Sequence, residues 1–143
     1  MTRLGSTPAA GPASAQAAVS VIGVGTDLVE VDRFRLAMAR RGERFSQRLF
    51  SDAERDYAGR HRDPAPRLAA RFAAKEAVMK ALGVGLGAFK LRDVEVRRVR
   101  GGAPAVALSG RAAALARERG VTAWHLSLTH TESMAMAFAI ALG

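Results

Sequence analysis

Residues 67–82 read RLAARFAAKEAVMKAL and form the longest helical pattern in the chain. Gly83 follows directly, and a glycine just past the last turn is a common helix end. The larger apolar side chains recur at mostly three-, four- and seven-residue steps: Leu68, Phe72, Val78, Met79 and Leu82. Such steps place them on one side of a helix. The stretch therefore predicts a long helix with one buried side.

Shorter patterns on both sides of this helix complete an α+β layout. Ser51 and Glu54 form a capping box, which predicts the start of a short helix. The predicted elements, in chain order, are a strand at 21–25, helices at 32–41, 51–60 and 67–82, strands at 93–100 and 105–108, a helix at 109–119, and strands at 124–129 and 134–142. The order β-α-α-α-β-β-α-β-β is typical of an α+β domain and not of repeated βαβ units.

The beginning of the chain differs in composition from the rest. Residues 1–19, MTRLGSTPAAGPASAQAAV, are small, nearly uncharged and rich in Ala, Ser, Gly and Pro. Such a segment has too little apolar surface to offset the entropy lost on ordering. We therefore expect a flexible leader at 1–19 and one folded domain at 20–143, which suits a chain of 143 residues.

The apolar content is weighted toward the smallest apolar side chain. Of the 49% of residues that count as hydrophobic, which is 70 residues, 30 are alanine. Because an alanine side chain removes little apolar area from water, the core is thinner than this fraction suggests. Chains of this kind often bury more apolar surface by associating with copies of themselves, which favours an oligomer.

The chain is basic, with 22 Lys and Arg against 13 Asp and Glu and a net charge of +9. This balance predicts an anionic partner: nucleic acid, a phosphorylated small molecule or an acidic protein. Arginines at i, i+7, i+8 and i+11 form one face of the first predicted helix: Arg33, Arg40, Arg41 and Arg44. Few carboxylates accompany them, so this face is a candidate binding surface, although a solvated face has the same pattern.

Several classes of protein are excluded. The absence of cysteine excludes disulfides, thiolate metal sites and cysteine nucleophiles. No run approaches the roughly 18 consecutive apolar residues of a membrane span, and the N-terminus lacks the apolar core of a secretory signal. We therefore expect a cytoplasmic protein without a membrane partner. The histidines lack the spacing of a zinc site.

Charged side chains at two places could carry chemistry. Asp27 follows a predicted strand and a Gly-x-Gly corner, where a carboxylate can bind a hard cation or cap the next helix. Glu76 and Lys80 are four residues apart and share a helix face. They suit a solvated ion pair, or a metal ligand beside an ammonium that binds phosphate or moves a proton. The residues alone leave both interpretations open.

Polar side chains also follow one side of the strand predicted at 124–129. His125, Ser127 and Thr129 point one way and their apolar neighbours point the other. A strand in the core has such a polar side only where something polar lies against it. This side is therefore a candidate contact surface.

Three motifs, in this order and spacing, resemble the bacterial holo-[acyl-carrier-protein] synthases, the small 4′-phosphopantetheinyl transferases of fatty-acid biosynthesis. They are IGVGTDLVE at 22–30, RFAAKEA at 71–77 and HLSLTH at 125–130. The resemblance covers about residues 20–142, and the second motif is highly specific. The leader at 1–19 departs from the family, whose members usually begin close to the first strand.

The resemblance implies a fold, a reaction and an assembly. The fold packs a small antiparallel sheet against a long helix, and the chains form a homotrimer with active sites at the subunit boundaries. In the reaction, the phosphopantetheine arm moves from coenzyme A to a serine of apo-acyl carrier protein, with Mg²⁺ as cofactor and adenosine 3′,5′-bisphosphate as the second product. Both partners are anionic, which agrees with the net charge.

The resemblance also implies roles by position. Asp27 and Glu76 are the expected Mg²⁺ ligands, and Lys80 is the expected catalytic cation beside the pyrophosphate of coenzyme A. The residues expected near the nucleotide phosphates are Arg71, Lys75 and His125. The residues expected to dock the acidic carrier protein are Arg33, Arg40 and Arg41.

Two other functions compete with this one. A small nucleic-acid-binding protein would explain the positive charge, but the 8 aromatic residues form no stacking cluster between basic ones. Such a protein would also leave the motifs around Asp27 and Glu76 unexplained. An inactive scaffold with the same fold is the third possibility, and the presence of Asp27, Glu76 and Lys80 argues against it.

Overall fold

The computed structural model describes residues 17–143 and has the predicted α+β architecture. Its elements are β1 Val21–Glu30, α1 Val31–Leu49, α2 Asp52–Gly59, α3 Ala65–Ala81, β2 Val94–Arg98, β3 Pro104–Leu108, α4 Gly110–Glu118, β4 Ala123–His130 and β5 Met134–Leu142. The expectation of a flexible leader falls mainly on residues 1–16, outside the described range. Within residues 17–143, no helix combines the length and apolarity that a bilayer span requires.

Helix α3 is buried on most of its surface, and not only on the side that its larger residues predict. Leu68, Val78, Met79 and Leu82 are at most 8% exposed, as the pattern indicates. Alanines fill most of the other buried positions of the helix. Because these side chains are small, neighbouring elements approach the helix closely from several directions. Gly83 ends the helix with a φ of 67°, a left-handed conformation that suits glycine.

Strand β1 crosses α3 at very short range. A Cβ atom on Gly23 would lie 1.9 Å from the carbonyl oxygen of Ala81, and one on Gly25 would lie 1.9 Å from that of Ala77. No side chain fits into these gaps, so only glycine allows the approach. The two glycines of the first motif therefore set the distance between β1 and α3.

Strand β5 is the centre of a three-stranded antiparallel sheet in the order β1-β5-β4. The side of β5 that faces α3 consists of buried alanines: Ala135, Ala137, Ala139 and Ala141. We call the opposite side the outer face of the sheet. It carries large apolar side chains that are 40% to 60% exposed within residues 17–143: Val24, Leu28, Met136 and Phe138. An apolar sheet face of this kind indicates association with another surface.

Strands β2 and β3 form a separate hairpin. Val94 and Val96 of β2 are buried in the same core as α3 and α4. Gly101 and Gly102 make its turn with φ values of 97° and 85°. The hairpin places Arg98, at the end of β2, beside α3 and α2.

The predicted break in the first helix at Gly42 is confirmed, but the sequence did not predict the second helical stretch that follows it within α1. Gly42 leaves helical geometry, with φ 73° and ψ −167°, but the helix resumes and α1 continues to Leu49. Leu49 and Phe50 are buried in a core that also contains Phe34, and this burial stabilises the second half of the helix. Strand β1 is also longer than predicted, because it pairs with β5 as far as Glu30.

Candidate active site

Two clefts lie on different sides of α3, and no described residue lines both. The first, which we call the carboxylate cleft, has a volume of about 520 Å³. Its charged lining residues are Asp27, Glu30, Arg33 and Glu76. The second, which we call the basic cleft, has a volume of about 360 Å³. Its polar lining includes Tyr57, Arg67, Arg71, Arg98 and His130.

Asp27 faces α3 because it lies on the inner side of the sheet. It pairs in register with Ala137, which is buried beneath the helix. From α3, the Lys80 Nζ donates hydrogen bonds to Asp27 Oδ1 at 3.1 Å and to the Thr26 carbonyl oxygen at 2.8 Å. Glu76 lies one turn before Lys80 on the same helix face. The first and second motifs therefore meet at this cleft.

The carboxylates of Asp27 and Glu76 repel each other. Burial raises the pKa of Glu76, the charge of Asp27 raises it further, and Lys80 opposes both. A cation bound between the carboxylates would relieve this repulsion. Within residues 17–143, no three His, Cys, Asp or Glu residues form a metal cluster. Carboxylate oxygens are ligands of the kind that Mg²⁺ takes, together with water and substrate phosphate, so the chemistry of this pair fits that ion.

The basic cleft lacks a negative charge of its own, because none of its described lining residues is acidic. Arg71 is 5% exposed, and its Nε has no hydrogen-bond partner in the described part of the chain. Burial lowers the pKa of the Arg71 guanidinium, although arginine stays charged at neutral pH. A buried cation with a free donor, beside further cations, is typical of an anion-binding site.

Lys75 lies in neither cleft, and the structure corrects its expected contact with nucleotide phosphates. Its side chain is fully buried, and Nζ donates to Glu54 Oε2 at 2.8 Å. Nζ also donates to the carbonyl oxygens of Leu91, at 3.3 Å, and Val94. An ammonium has three protons, so these acceptors leave none for a phosphate. Lys75 instead joins α3 to α2 and to the start of β2.

The other two residues expected near the nucleotide phosphates lie far apart in the fold. Arg71 lies in the basic cleft. His125 lies on the outer face of the sheet, in register with Ile140, and lines neither cleft. His130, at the end of the same strand, lines the basic cleft instead.

Besides Arg71, the basic and aromatic lining residues of the basic cleft were not predicted as site residues from the sequence: Tyr57, Arg67, Arg98 and His130. Arg67 had a detectable signal, since it is four residues before Arg71 and shares its helix face. The others come from α2, β2 and β4, and no local spacing connects those elements to α3.

One of the three α1 arginines expected to dock the carrier protein borders the carboxylate cleft. Arg33, Arg40 and Arg41 are exposed, and Arg33 lines the cleft itself. Arg33 lies 3.9 Å from Glu30, and the Arg41 guanidinium lies 4.9 Å from the centre of the Phe45 ring. Arg33 therefore presents positive charge next to Asp27 and Glu76.

The sequence is similar to a known family over most of its length. Residues 23–141 match the family model of the 4′-phosphopantetheinyl transferase superfamily. The holo-[acyl-carrier-protein] synthase of Desulforudis audaxviator is 50% identical over 123 residues, which are 86% of this chain and 94% of that protein.

The fold is also similar to solved structures of holo-[acyl-carrier-protein] synthases. The holo-[acyl-carrier-protein] synthase of Neisseria meningitidis aligns with a TM-score of 0.78 and 30% identity, over 85% of this chain and 98% of that one. The Bacillus anthracis enzyme, solved in complex with CoA (3′,5′-ADP), aligns with a TM-score of 0.72 and 28% identity, over 86% and 97%. The chain therefore belongs to the 4′-phosphopantetheinyl transferase superfamily, among its holo-[acyl-carrier-protein] synthases.

Proposed function

We propose that this protein transfers the 4′-phosphopantetheine arm of coenzyme A to a serine of apo-acyl carrier protein. The products are holo-acyl carrier protein and adenosine 3′,5′-bisphosphate. The meeting of Asp27, Glu76 and Lys80 at one cleft is the observation that carries the proposal. The likeness to enzymes named for this reaction supports it. The product would serve fatty-acid biosynthesis in the cytoplasm.

The reaction breaks a phosphoanhydride bond in the pyrophosphate of coenzyme A and forms a phosphodiester bond to the serine. The serine oxygen bonds to the phosphorus that carries the pantetheine, and the bond from this phosphorus to the oxygen shared with the nucleotide breaks. The electron pair of the broken bond stays with the nucleotide phosphate, and the serine proton passes to a base. Such a displacement needs charge neutralisation and alignment more than a covalent enzyme intermediate.

The carboxylate cleft would provide the neutralisation and the alignment. Asp27 and Glu76 would hold Mg²⁺, which when bound neutralises charge on the pyrophosphate. Lys80, fixed by its bonds to Asp27 and to Thr26, would add a second positive charge beside the reacting phosphate. A cleft carboxylate, Lys80 or a water molecule would accept the serine proton.

The basic cleft would bind the nucleotide end of coenzyme A. Besides its pyrophosphate, coenzyme A has a phosphomonoester at the 3′ position of the ribose. A lining of cations without a carboxylate suits this free dianion better than a phosphate held through a metal. The Arg71 guanidinium would donate to it, with Arg67, Arg98 and His130 around it.

The exposed arginines of α1 would dock the carrier protein. Acyl carrier protein is acidic, so Arg33, Arg40 and Arg41 would attract it and set its orientation. Because Arg33 also lines the carboxylate cleft, a protein docked on this face would present its serine toward Asp27 and Glu76.

A homotrimer would cover the outer face of the sheet. Apolar side chains such as Leu28, 60% exposed, and Phe138, 40% exposed, would then leave water. His125 lies on this face, opposite in direction to Asp27. It can reach a carboxylate cleft only in a neighbouring chain, so the sites would be shared between subunits.

One incubation tests the proposed function. The protein is mixed with coenzyme A, Mg²⁺ and an apo-acyl carrier protein, and the carrier is weighed by mass spectrometry. We expect it to gain one phosphopantetheine arm, and a carrier with its acceptor serine changed to alanine to gain none. Unmodified carrier after prolonged incubation would contradict the proposal. A rise of the Tm with RNA, and not with Mg²⁺ and coenzyme A, would favour a nucleic-acid-binding protein.

A further inference from the structure

We infer that Tyr57 is a positioning residue of the nucleotide site: its ring holds the guanidinium groups of Arg71 and Arg98 in the orientation that binds the 3′-phosphomonoester of coenzyme A. The inference rests on the proposed function and deepens it. Tyr57 lies outside all three sequence motifs and is the only tyrosine of the chain.

Tyr57 lies on α2, at the wall of the basic cleft. The Arg71 Cζ is 4.2 Å from the centre of its ring, and the Arg98 Cζ is 5.4 Å from it. Both distances are within the range of cation–π attraction. Arg71 lies on α3 and Arg98 at the end of β2, so one aromatic ring contacts two cations from separate elements.

The choice of an aromatic partner has a consequence for binding. Burial lowers the pKa of Arg71, the charge of the nearby Glu54 opposes this, and the charge of Arg98 lowers the pKa further because two guanidinium groups repel each other. A carboxylate partner would offset this repulsion, but it would also compete with an incoming phosphate. The nearby carboxylate, Glu54, is already paired with Lys75. The face of the Tyr57 ring stabilises the cations without adding a carboxylate to the cleft, and the Arg71 Nε has no hydrogen-bond partner within residues 17–143.

The first test compares two ligands that differ only in the 3′-phosphate. Calorimetry gives the Kd of coenzyme A and of 3′-dephospho-coenzyme A for the unaltered chain, Tyr57→Leu and Tyr57→Phe. We expect Tyr57→Leu to weaken coenzyme A binding about tenfold and to leave the dephospho form within about twofold. Tyr57→Phe keeps the ring and should retain the preference. Equal weakening of both ligands by Tyr57→Leu would overturn the inference.

A double variant separates positioning from a direct contact. In an Arg71→Gln background the 3′-phosphate has lost its main donor and only Arg98 is left for the ring to orient, so adding Tyr57→Leu should reduce the preference for coenzyme A by clearly less than tenfold. A full additional tenfold loss would mean that Tyr57 acts independently of Arg71, which contradicts the role assigned to it.

A measurement on the unaltered chain keeps the inference testable if Tyr57→Leu does not fold. A ¹³C label on tyrosine rings reports on Tyr57 alone, since the chain has no other tyrosine. Adenosine 3′,5′-bisphosphate should shift its NMR signal, and adenosine 5′-monophosphate, which lacks the 3′-phosphate, should not. Equal shifts would place the ring against the base and overturn the inference. Arm transfer that proceeds equally well from dephospho-coenzyme A would also overturn it while leaving the proposed function intact.

Discussion

Lys75 and Glu76 are adjacent in the chain and lie in opposite environments. One residue turns a helix by about 100°, so Lys75 points into the core between α2 and β2 while Glu76 points into the carboxylate cleft. The Lys75 ammonium forms an ion pair with the Glu54 carboxylate, whereas the Glu76 carboxylate is repelled by that of Asp27. The ammonium therefore stabilises the protein, and the half-buried carboxylate remains available to a cation.

The first prediction concerns the two proposed metal ligands. Asp27→Asn and Glu76→Gln each remove a negative charge with little change of size. We expect either variant to fold and to transfer the arm about 100-fold more slowly or worse at ordinary Mg²⁺ concentrations. The measurement is the rate of holo-carrier formation, with the Tm as a check of folding.

Glu30→Gln is the matched control for these variants. Glu30 lines the same cleft, but it is exposed and lies beside Arg33 on the α1 side. Its loss should leave the rate within a few-fold of the unaltered chain. If Asp27→Asn and Glu76→Gln are as active as Glu30→Gln, the metal assignment is wrong.

The second prediction concerns the buried ion pair. Lys75→Met leaves the Glu54 carboxylate in the core without its cation, which should lower the free energy of unfolding by about 3–5 kcal/mol. Adding Glu54→Gln removes the unpaired charge and keeps an oxygen that can accept the Val96 N–H. The double variant should therefore be more stable than Lys75→Met alone in urea unfolding. A double variant destabilised by the sum of both single changes would contradict this account.

At the scale of elements, the sequence predicts what depends on neighbours along the chain. The helix over 67–82, the capping box at Ser51 and the alternation of β4 are all confirmed, because each follows from local spacing. The resumption of α1 after Gly42 depends on a core built by distant residues, and local patterning could not show it.

The two clefts of the candidate site also differ in whether the sequence could predict them. The carboxylate cleft was predictable because family motifs mark Asp27 and Glu76. The basic cleft was not, because its lining comes from α2, α3, the β2–β3 hairpin and β4, which are brought together only by tertiary packing. The sequence predicts only one buried side for α3. Arginine and lysine are usually exposed, so the burial of Arg71 and Lys75 could not be inferred from residue type.

The third prediction concerns α1 as a docking element. Arg40→Glu should raise the KM for the carrier protein about tenfold and leave the KM for coenzyme A nearly unchanged. The effect should shrink as salt rises, because exposed charges are screened. Arg117→Glu, an equally large charge change at an exposed position on α4, is the matched control and should have little effect. An equal rise in both KM values for Arg40→Glu would assign this arginine to the nucleotide site.

At the scale of the whole molecule, two features favour packing against a neighbouring chain. The outer face of the sheet exposes apolar side chains of a kind that globular proteins normally bury. Within residues 17–143 the carboxylate and basic clefts share no lining residue, and His125 lies on the opposite face of the sheet from Asp27. Packing on the outer face would bury the apolar surface and bring one chain's β4 toward a site of the next.

The fourth prediction tests this sharing by mixing inactive chains. One variant, Glu76→Gln, lacks the metal ligand of the carboxylate cleft. The other, Arg71→Gln or His125→Ala, lacks a residue that each chain would donate to the site of its neighbour. If a site takes Glu76 from one chain and the other residue from the next, about one quarter of the sites in an equal mixture have both residues intact. Activity should then rise well above that of either variant alone.

Two outcomes would contradict shared sites. No rescue with either Arg71→Gln or His125→Ala would mean that Glu76 works with residues of its own chain. A sedimenting species of monomer mass that is fully active at the assay concentration would exclude sharing whatever the mixtures give. In the unaltered protein we expect the opposite: specific activity should fall on dilution together with the trimer fraction, because dilution exposes the outer face and separates the two halves of each site.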